Sequence, residues 1–289
     1  MKEISRIIFD HACHIATEIK AKALMLYAEE VDELHIGENE KPCFELIIVT
    51  KGNEEISETL KRSAVIINVP NVNLSRVGQI KIAITKGIAT GLFKKMDRLV
   101  CLSGLPKLGY YDSIFVIDVG KEFEVLTSHN ISDLTQGVYP EVFSAALNIA
   151  LELAAQGREG RKVGTTFVLG DHEKVLQLSR QMVINPFLGY TDVERNILNP
   201  ELLETIKEFS AIDGAFIIED NGAIVTAGRH LNAAMESKDF PQGLGSRHIA
   251  AAGITSVTHA IAIVLSESTG NVSVFKSGTL FVSILKPIS

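Results

Sequence analysis

Tryptophan is absent from the 289 residues, aromatic side chains make up only 6%, and cysteine occurs three times. Cys13, Cys43 and Cys101 are widely spaced, odd in number and without a C-x-x-C pair, which argues against a disulfide framework and for reduced thiols. Cys101, inside Leu99-Val100-Cys101-Leu102, reads as core. A basic surplus is also missing. The 28 Lys and Arg residues against 35 Asp and Glu leave a net charge of -7, which excludes a surface that tracks a nucleic-acid backbone, because such binding needs Lys and Arg in excess along one face. Small phosphorylated ligands are left open. Long apolar runs are lacking too: stretches such as Ala260 to Leu265 fall well short of the roughly 20 residues of a spanning helix. The opening MKEISRIIFDHACH interrupts its apolar residues with Glu, Arg, Asp and His, unlike a signal peptide. A cytoplasmic protein with no membrane or nucleic-acid partner is expected. No G-x-x-x-x-G-K-[ST] loop occurs, since Gly157-Arg-Glu-Gly-Arg-Lys162 lacks both the length and the terminal hydroxyl, and this argues against a P-loop ATPase.

What is present is a chain with 46% hydrophobic residues, long enough for two domains. Apolar residues from Ile4 to about Ala28 recur at three and four, predicting an amphipathic helix. Beyond an acidic loop, Glu29 to Glu40, strands are expected at Phe44–Thr50, Ala64–Val69, Asp97–Leu102 and Ser113–Val119, with helices at Ser57–Arg62 and Leu74 to about Lys86. That alternation predicts an N-terminal αβα domain with a mostly parallel sheet. The polar stretch Gly120–Tyr139 is the boundary candidate, dividing residues 1–136 from 137–289. Pro140 opens a helix running to about Gln156. Strands are then expected at Thr165–Leu169, Ala215–Glu219, Ala223–Ala227, Ala260–Leu265, Val272–Lys276 and Thr279–Leu285, with helices at His172–Leu178, Pro200–Ser210 and near Arg247–Gly253. Asp220-Asn221-Gly222 marks a hairpin. The second domain is expected to hold a mixed central sheet flanked by helices.

Four constellations carry candidate chemistry. Asp10-His11-Ala-Cys13-His14 could put metal ligands on one helix face, but no second ligand cluster accompanies it, and a solvated face is the stronger reading. Asp213-Gly214-Ala215 holds a carboxylate at a tight turn between helix and strand, although Asp-Gly is usually only a turn. Gly243-Leu-Gly245-Ser246-Arg247-His248 is a glycine-rich loop entering a helix. Ser246 can cap it, the free N–H groups attract phosphate and Arg247 can grip phosphate oxygens, or the segment is an ordinary capped helix. Ser266-Glu267-Ser268-Thr269-Gly270 puts a carboxylate at the end of an apolar strand, where a hairpin turn is the plainer alternative. Together the last three supply two carboxylates, a cation and a helix terminus, the parts of metal-assisted phosphoryl or nucleotidyl transfer.

From about Ala145 to Leu285 the ordered combination resembles the diadenylate cyclase (DAC) domain family, whose signatures are DGA and G-[ST]-R-H-R. The matching residues are Asp213-Gly-Ala215, Gly245-Ser-Arg-His248 and Ser266-Glu-Ser-Thr-Gly270. Gly157-Arg-Glu-Gly-Arg161, Phe167-Val-Leu-Gly-Asp171 and Asn185-Pro-Phe187 add to the likeness. The family's second motif arginine is Ile249 here, and Arg229 and Arg247 are the candidate cations to compensate. The resemblance implies condensation of two ATP into cyclic di-AMP with release of two pyrophosphates, across two facing DAC domains of a homo-oligomer. It also implies Mg²⁺ or Mn²⁺ at Asp213 and Glu267. Asp213, Arg247, His248 and Glu267 would be catalytic. ATP would be bound by Asp213, Gly214, Ala215, Gly245, Ser246, Arg247 and His248, with Leu231 against adenine. Ile249 also motivates a rival reading, a nucleotide-binding or sensor module without catalysis. The N-terminal half, through Gly87-Ile-Ala-Thr-Gly-Leu-Phe93 and Ile117-Asp118, is similar to the pyruvate kinase C-terminal domain, implying oligomerisation or effector sensing there.

Overall fold

The apolar periodicity of the N-terminus hides a break. Helix α1 (Glu3–Glu18) buries Phe9, Ala12 and Ala16, ends in a turn where Lys20 takes φ 51°, and gives way to strand β1 (Ala23–Tyr27), all of whose residues are buried. The expected helix to Ala28 therefore stops ten residues early, counting from Glu18. A strand covered on both faces shows no alternation, so a five-residue apolar run cannot be told from helix by its period.

In this computed structural model residues 3–27, 43–52, 62–104, 109–121, 134–232 and 245–287 are described. The helix expected over Ser57–Arg62, save Arg62, and Gly243 and Leu244 of the glycine-rich loop fall outside them. The chain divides into two units, Met1–Ser132 and Asp133–Ser289. Among the described residues no helix is long and apolar enough to cross a membrane.

In the first unit, β1 lies at the centre of the order β3-β2-β1-β4-β5. It pairs in parallel with β2 (Glu45–Lys51) and with β4 (Arg98–Ser103), β3 (Val65–Val69) adds in parallel to β2, and β5 (Ser113–Asp118) closes the edge antiparallel to β4. Leu24, Leu26, Leu46, Ile48, Val100 and Leu102 form one core with Phe9, Ala12 and Ala16 of α1. On the outer side of α1, His11 and His14 are exposed. Burial, with the Asp10 charge adding, pushes the Cys13 thiol up to about 11. No group of three or more metal-ligating side chains occurs among the described residues.

Helix α2 (Arg76–Ala89) crosses from β3 to β4, with Ser75 capping it by accepting from the Gly78 N–H. Its end explains the Gly87-to-Phe93 segment. The Leu92 and Phe93 N–H groups both donate to the Gly87 carbonyl, and the buried Phe93 ring folds back onto Gly87, where an added Cβ would stand 2.2 Å from the ring.

The second unit carries a seven-stranded sheet in the order β12-β11-β10-β6-β8-β9-β7. The strands are β6 (Thr165–Leu169), β7 (Ser179–Gln181), β8 (Ala215–Ile218), β9 (Ile224–Leu231), β10 (Ile261–Leu265), β11 (Val272–Lys276) and β12 (Thr279–Ile284). Only β6 and β8 pair in parallel; every other neighbour is antiparallel. The three-residue edge strand β7 was not anticipated, being too short to show a pattern. The β8–β9 hairpin turns on Asp220-Asn221-Gly222, with Gly222 at φ 96° and the Asn221 side chain accepting from the Ala223 N–H. Helix α3 (Pro140–Gln156) packs against β6 and β10. The short helices α4 (His172–Gln177) and α5 (Leu203–Phe209) precede β7 and β8. Helix α6 (Ser246–Val257) sets Ala251, Ala252 and Ile254 against Val168, Ala262, Val264 and Phe275. The result is a mixed α/β chain with two sheets.

Two registers position the site. Leu265 at the end of β10 stands opposite Thr165 at the start of β6, and Thr166 stands opposite Ala215 at the start of β8. The loops carrying Glu267, Gly164 and Asp213 therefore emerge from one end of the sheet. As a test of the α2 terminus, Gly87→Ala should lower unfolding free energy by about 1–3 kcal/mol through overpacking against Phe93, read as a lower urea midpoint with an unchanged slope.

Candidate functional site

The Asp213-Gly214 turn is built by backbone meeting backbone. Gly214 has φ 114°, and a Cβ there would lie 2.7 Å from the Gly228 carbonyl carbon and 2.8 Å from the Arg229 nitrogen. This close approach accompanies the irregular register between β8 and β9 and requires glycine on both conformational and steric grounds. The turn holds Asp213 with its carboxylate outward, 78% exposed, accepting from the Gly214 N–H at 3.0 Å.

Arg247 connects this carboxylate to a second one. Its Nη2 donates to Asp213 Oδ1 at 2.9 Å and its Nη1 to Glu267 Oε2 at 3.3 Å. The Nε is buried and has no hydrogen-bond partner among the described residues. Gly164 makes room for the arrangement: a Cβ there would stand 2.7 Å from Glu267 Cβ and 2.8 Å from Arg247 Nη1. Sequence reading missed Gly164, whose only signal is a glycine one residue before a buried strand.

The N-terminus of α6 differs from expectation in its cap. Gly245, not Ser246, is the N-cap residue, and no side chain caps the helix. The His248 and Ile249 N–H groups turn back to the Gly245 carbonyl. Ser246 is instead the first helical residue, where its N–H and that of Arg247 have no carbonyl within the helix to bond. With the helix dipole these amides favour an anion. A cavity of about 380 Å³ opens here, lined by Lys162, Gly245, Ser246, Arg247, His248, Ser266, Glu267 and Ser268.

Asp213, Gly245, Ser246, Arg247, His248 and Glu267 are thus brought to one sheet end. His248 forms part of the floor, with its ring edge-on to Phe275 at 5.9 Å between centroids. Burial, and secondarily the Arg247 charge, hold its imidazole below the ordinary range. Ala215 and Leu231 are buried in the core cluster under α6. Arg229 is committed elsewhere. Its Nε donates to Ser179 Oγ, its Nη2 to the Leu176 and Ser179 carbonyls and its Nη1 to Gln181 Oε1. That ties β9 to β7 and removes Arg229 as a stand-in for the arginine replaced by Ile249. Lys162, which lines the cavity, was passed over in the sequence as the tail of a failed phosphate loop.

A depressed histidine makes stability depend on pH. The unfolded chain binds a proton near pH 6.5, about the ordinary value, while the folded chain resists it to lower pH. Stability is therefore full above that value and is lost as pH falls through it. The urea midpoint should drop more between about pH 7.5 and 5.5 for the native protein than for His248→Gln; equal drops would remove His248 as a source of the dependence.

Residues 152–280 match the DAC family model, described as DisA bacterial checkpoint controller nucleotide-binding. Residues 6–127 match DacZ_P, a probable sensor domain. That match takes the place of the expected pyruvate kinase likeness, which drew on a helix terminus and a strand that many α/β domains share. A diadenylate cyclase of Haloferax volcanii is 44% identical over 50% of this chain and 53% of its own length. One of Listeria monocytogenes is 36% identical over 36% of this chain and 31% of its own. The diadenylate cyclase of Methanocaldococcus jannaschii is 31% identical across 96% of this chain and 95% of its own length, and on that near-complete correspondence the chain belongs to the diadenylate cyclase family.

Proposed function

We propose that this protein condenses two ATP molecules into cyclic di-AMP and releases two pyrophosphates. The observation that carries the reading is Arg247 held between Asp213 and Glu267 at the N-terminus of α6. Family membership supports it. In each of two steps the 3′-oxygen of one ATP attacks the α-phosphorus of the other, forming a 3′–5′ ester bond and breaking the bond to the β-phosphate oxygen.

The donor set fits a hard divalent cation. Two carboxylates converge, and no third carboxylate, histidine or cysteine joins them among the described residues. That suits Mg²⁺ or Mn²⁺ sharing its shell with phosphate oxygens and water. Asp213 and Glu267 would hold it, and when bound it would lower the pKa of the attacking hydroxyl and offset triphosphate charge. Asp213, projecting into solvent from a rigid turn, is also placed to accept the 3′-proton. The amides of Ser246 and Arg247 and the Arg247 guanidinium would hold the α-phosphate in line. His248, neutral at the floor, supports Arg247 without adding charge. The Gly214-Ala215 backbone and Leu231 would bound the nucleoside side. Residues 1–136 serve as a sensing or oligomerisation unit, and residues 137–289 as the catalytic unit.

The two-fold product needs two sites face to face, each holding one ATP. Val183 packs on Gly228 beside the Asp213 turn, and the segment after it exposes Ile184 (93%), Leu188, Tyr190 and Val193. A second copy of the chain would cover this apolar face.

Incubation with ATP and Mn²⁺ or Mg²⁺ should yield cyclic di-AMP by mass spectrometry. ATP bound without product would instead favour the non-catalytic module suggested by Ile249. Asp213→Asn should cut the rate on the order of 10²–10⁴-fold while ATP binding is largely kept; unchanged turnover would remove Asp213 from the chemistry. Gly164→Ala should lower the rate about 100-fold by displacing Arg247 and Glu267. Rate per protomer should fall on dilution through the dissociation range, and a constant rate down to demonstrated monomers would overturn the facing arrangement.

A further inference from the structure

Two ATP bring a large negative charge to the paired sites, and the cations available at each are few. Arg247 is shared between two carboxylates. Arg229 is bonded to the Ser179 hydroxyl and to the Leu176 and Ser179 carbonyls. Position 249, where the family motif has its second arginine, is an apolar isoleucine, and His248 is held towards its neutral form by burial. Among the described residues that line the cavity, the remaining cation is Lys162.

Lys162 has the properties of a phosphate ligand. It is exposed at the mouth of the site, two residues before Gly164, and its Nζ makes one long contact, 3.4 Å to the Ser268 carbonyl. It pairs with no carboxylate among the described residues, so its charge is not already spent. It also borders a second cavity of about 180 Å³ that shares Lys162, Ser266 and Glu267 with the first and adds Arg161 and Lys286 to its walls. The basic side chains thus collect on the Glu267–Ser268 flank, away from the Asp213 turn where the attacking oxygen would be activated.

Resting on the ATP reading above, we infer that Lys162 binds the β- and γ-phosphates of ATP and steadies the departing pyrophosphate, supplying positive charge from the strand β6 side where α6 offers Arg247 beside an apolar Ile249. No bond to Lys162 forms or breaks. It acts as a point charge with three donors, which tolerates the changing geometry of a leaving group.

The test is isothermal titration of the full chain, as native protein, Lys162→Gln and Lys162→Arg, with three probes: AMP, cyclic di-AMP, and an α,β-methylene analogue of ATP that cannot release pyrophosphate. Losing one charge-assisted contact should weaken the analogue about 10- to 100-fold in Lys162→Gln. AMP and cyclic di-AMP, which lack β- and γ-phosphates, should bind as before, and Lys162→Arg should recover most of the loss. Undiminished analogue binding by Lys162→Gln, or equal weakening of all three probes, would overturn the assignment. If the native protein binds the analogue but makes no cyclic di-AMP from ATP, the catalytic reading fails while the same titration still judges Lys162. If it binds no analogue at all, both fall.

Discussion

A single guanidinium spanning two carboxylates organises this end of the second unit, because Asp213 and Glu267 come from two loops and Arg247 from the first turn of α6, and the three meet only if the strands beneath them keep register. As a source of stability the bridge is weak. The Asp213 and Glu267 side chains are more than half exposed, and pairs of that kind contribute about 0–1 kcal/mol. What it supplies is geometry. With two of its nitrogens fixed and its Nε buried against the helix start, Arg247 has little freedom, and it draws Asp213 and Glu267 toward a shared point. Acceptors arriving in the cavity would compete for the same donors, so binding of a phosphate and release of the carboxylates are coupled through one side chain.

That convergence depends on how closely backbone can approach backbone. Gly164 is where a side chain would collide with both Arg247 and Glu267, and Gly214 is where one would collide with the Gly228–Arg229 peptide. Gly228, at φ 70°, leaves room in turn for Val183. The irregular β8–β9 ladder is the local cost of bringing these chains together, and Arg229 offsets it by tying β9 to β7 through several donors. Thus Arg229, one of two candidate compensating cations in the sequence, bonds within the scaffold, while a glycine with no chemistry of its own sets the shape of the site.

The three polar segments were legible because each carries local turn or cap chemistry between apolar runs: Asp213-Gly214, Gly245 to His248, and Ser266 to Gly270. Their meeting was not, since it follows from which strands are neighbours, a long-range property that no window of sequence contains. The same limit explains the N-terminal error. Ala23 to Tyr27 continues the apolar content of α1, and only its place at the centre of a parallel sheet makes it a strand. The cap of α6 shifted by one residue for a further reason. Ser246 is the better capper in isolation, but capping would turn its hydroxyl onto the amides that its position as first helical residue leaves free.

The overall charge of -7 opposes an anionic nucleotide at long range, but at physiological salt the screening length is about 8 Å. Carboxylates beyond that distance are largely hidden from a ligand in the cavity, whereas Arg247, Lys162 and the amides at the start of α6 lie at its walls. Recognition of so charged a substrate therefore needs no basic surface. It needs a few donors whose positions are fixed by glycine turns and strand register, and one of those donors is already balanced by the two carboxylates that would hold the metal. Lys162, which also lines the cavity, would add its charge without disturbing the helix, because charge at this range is set by distance and not by which element carries it.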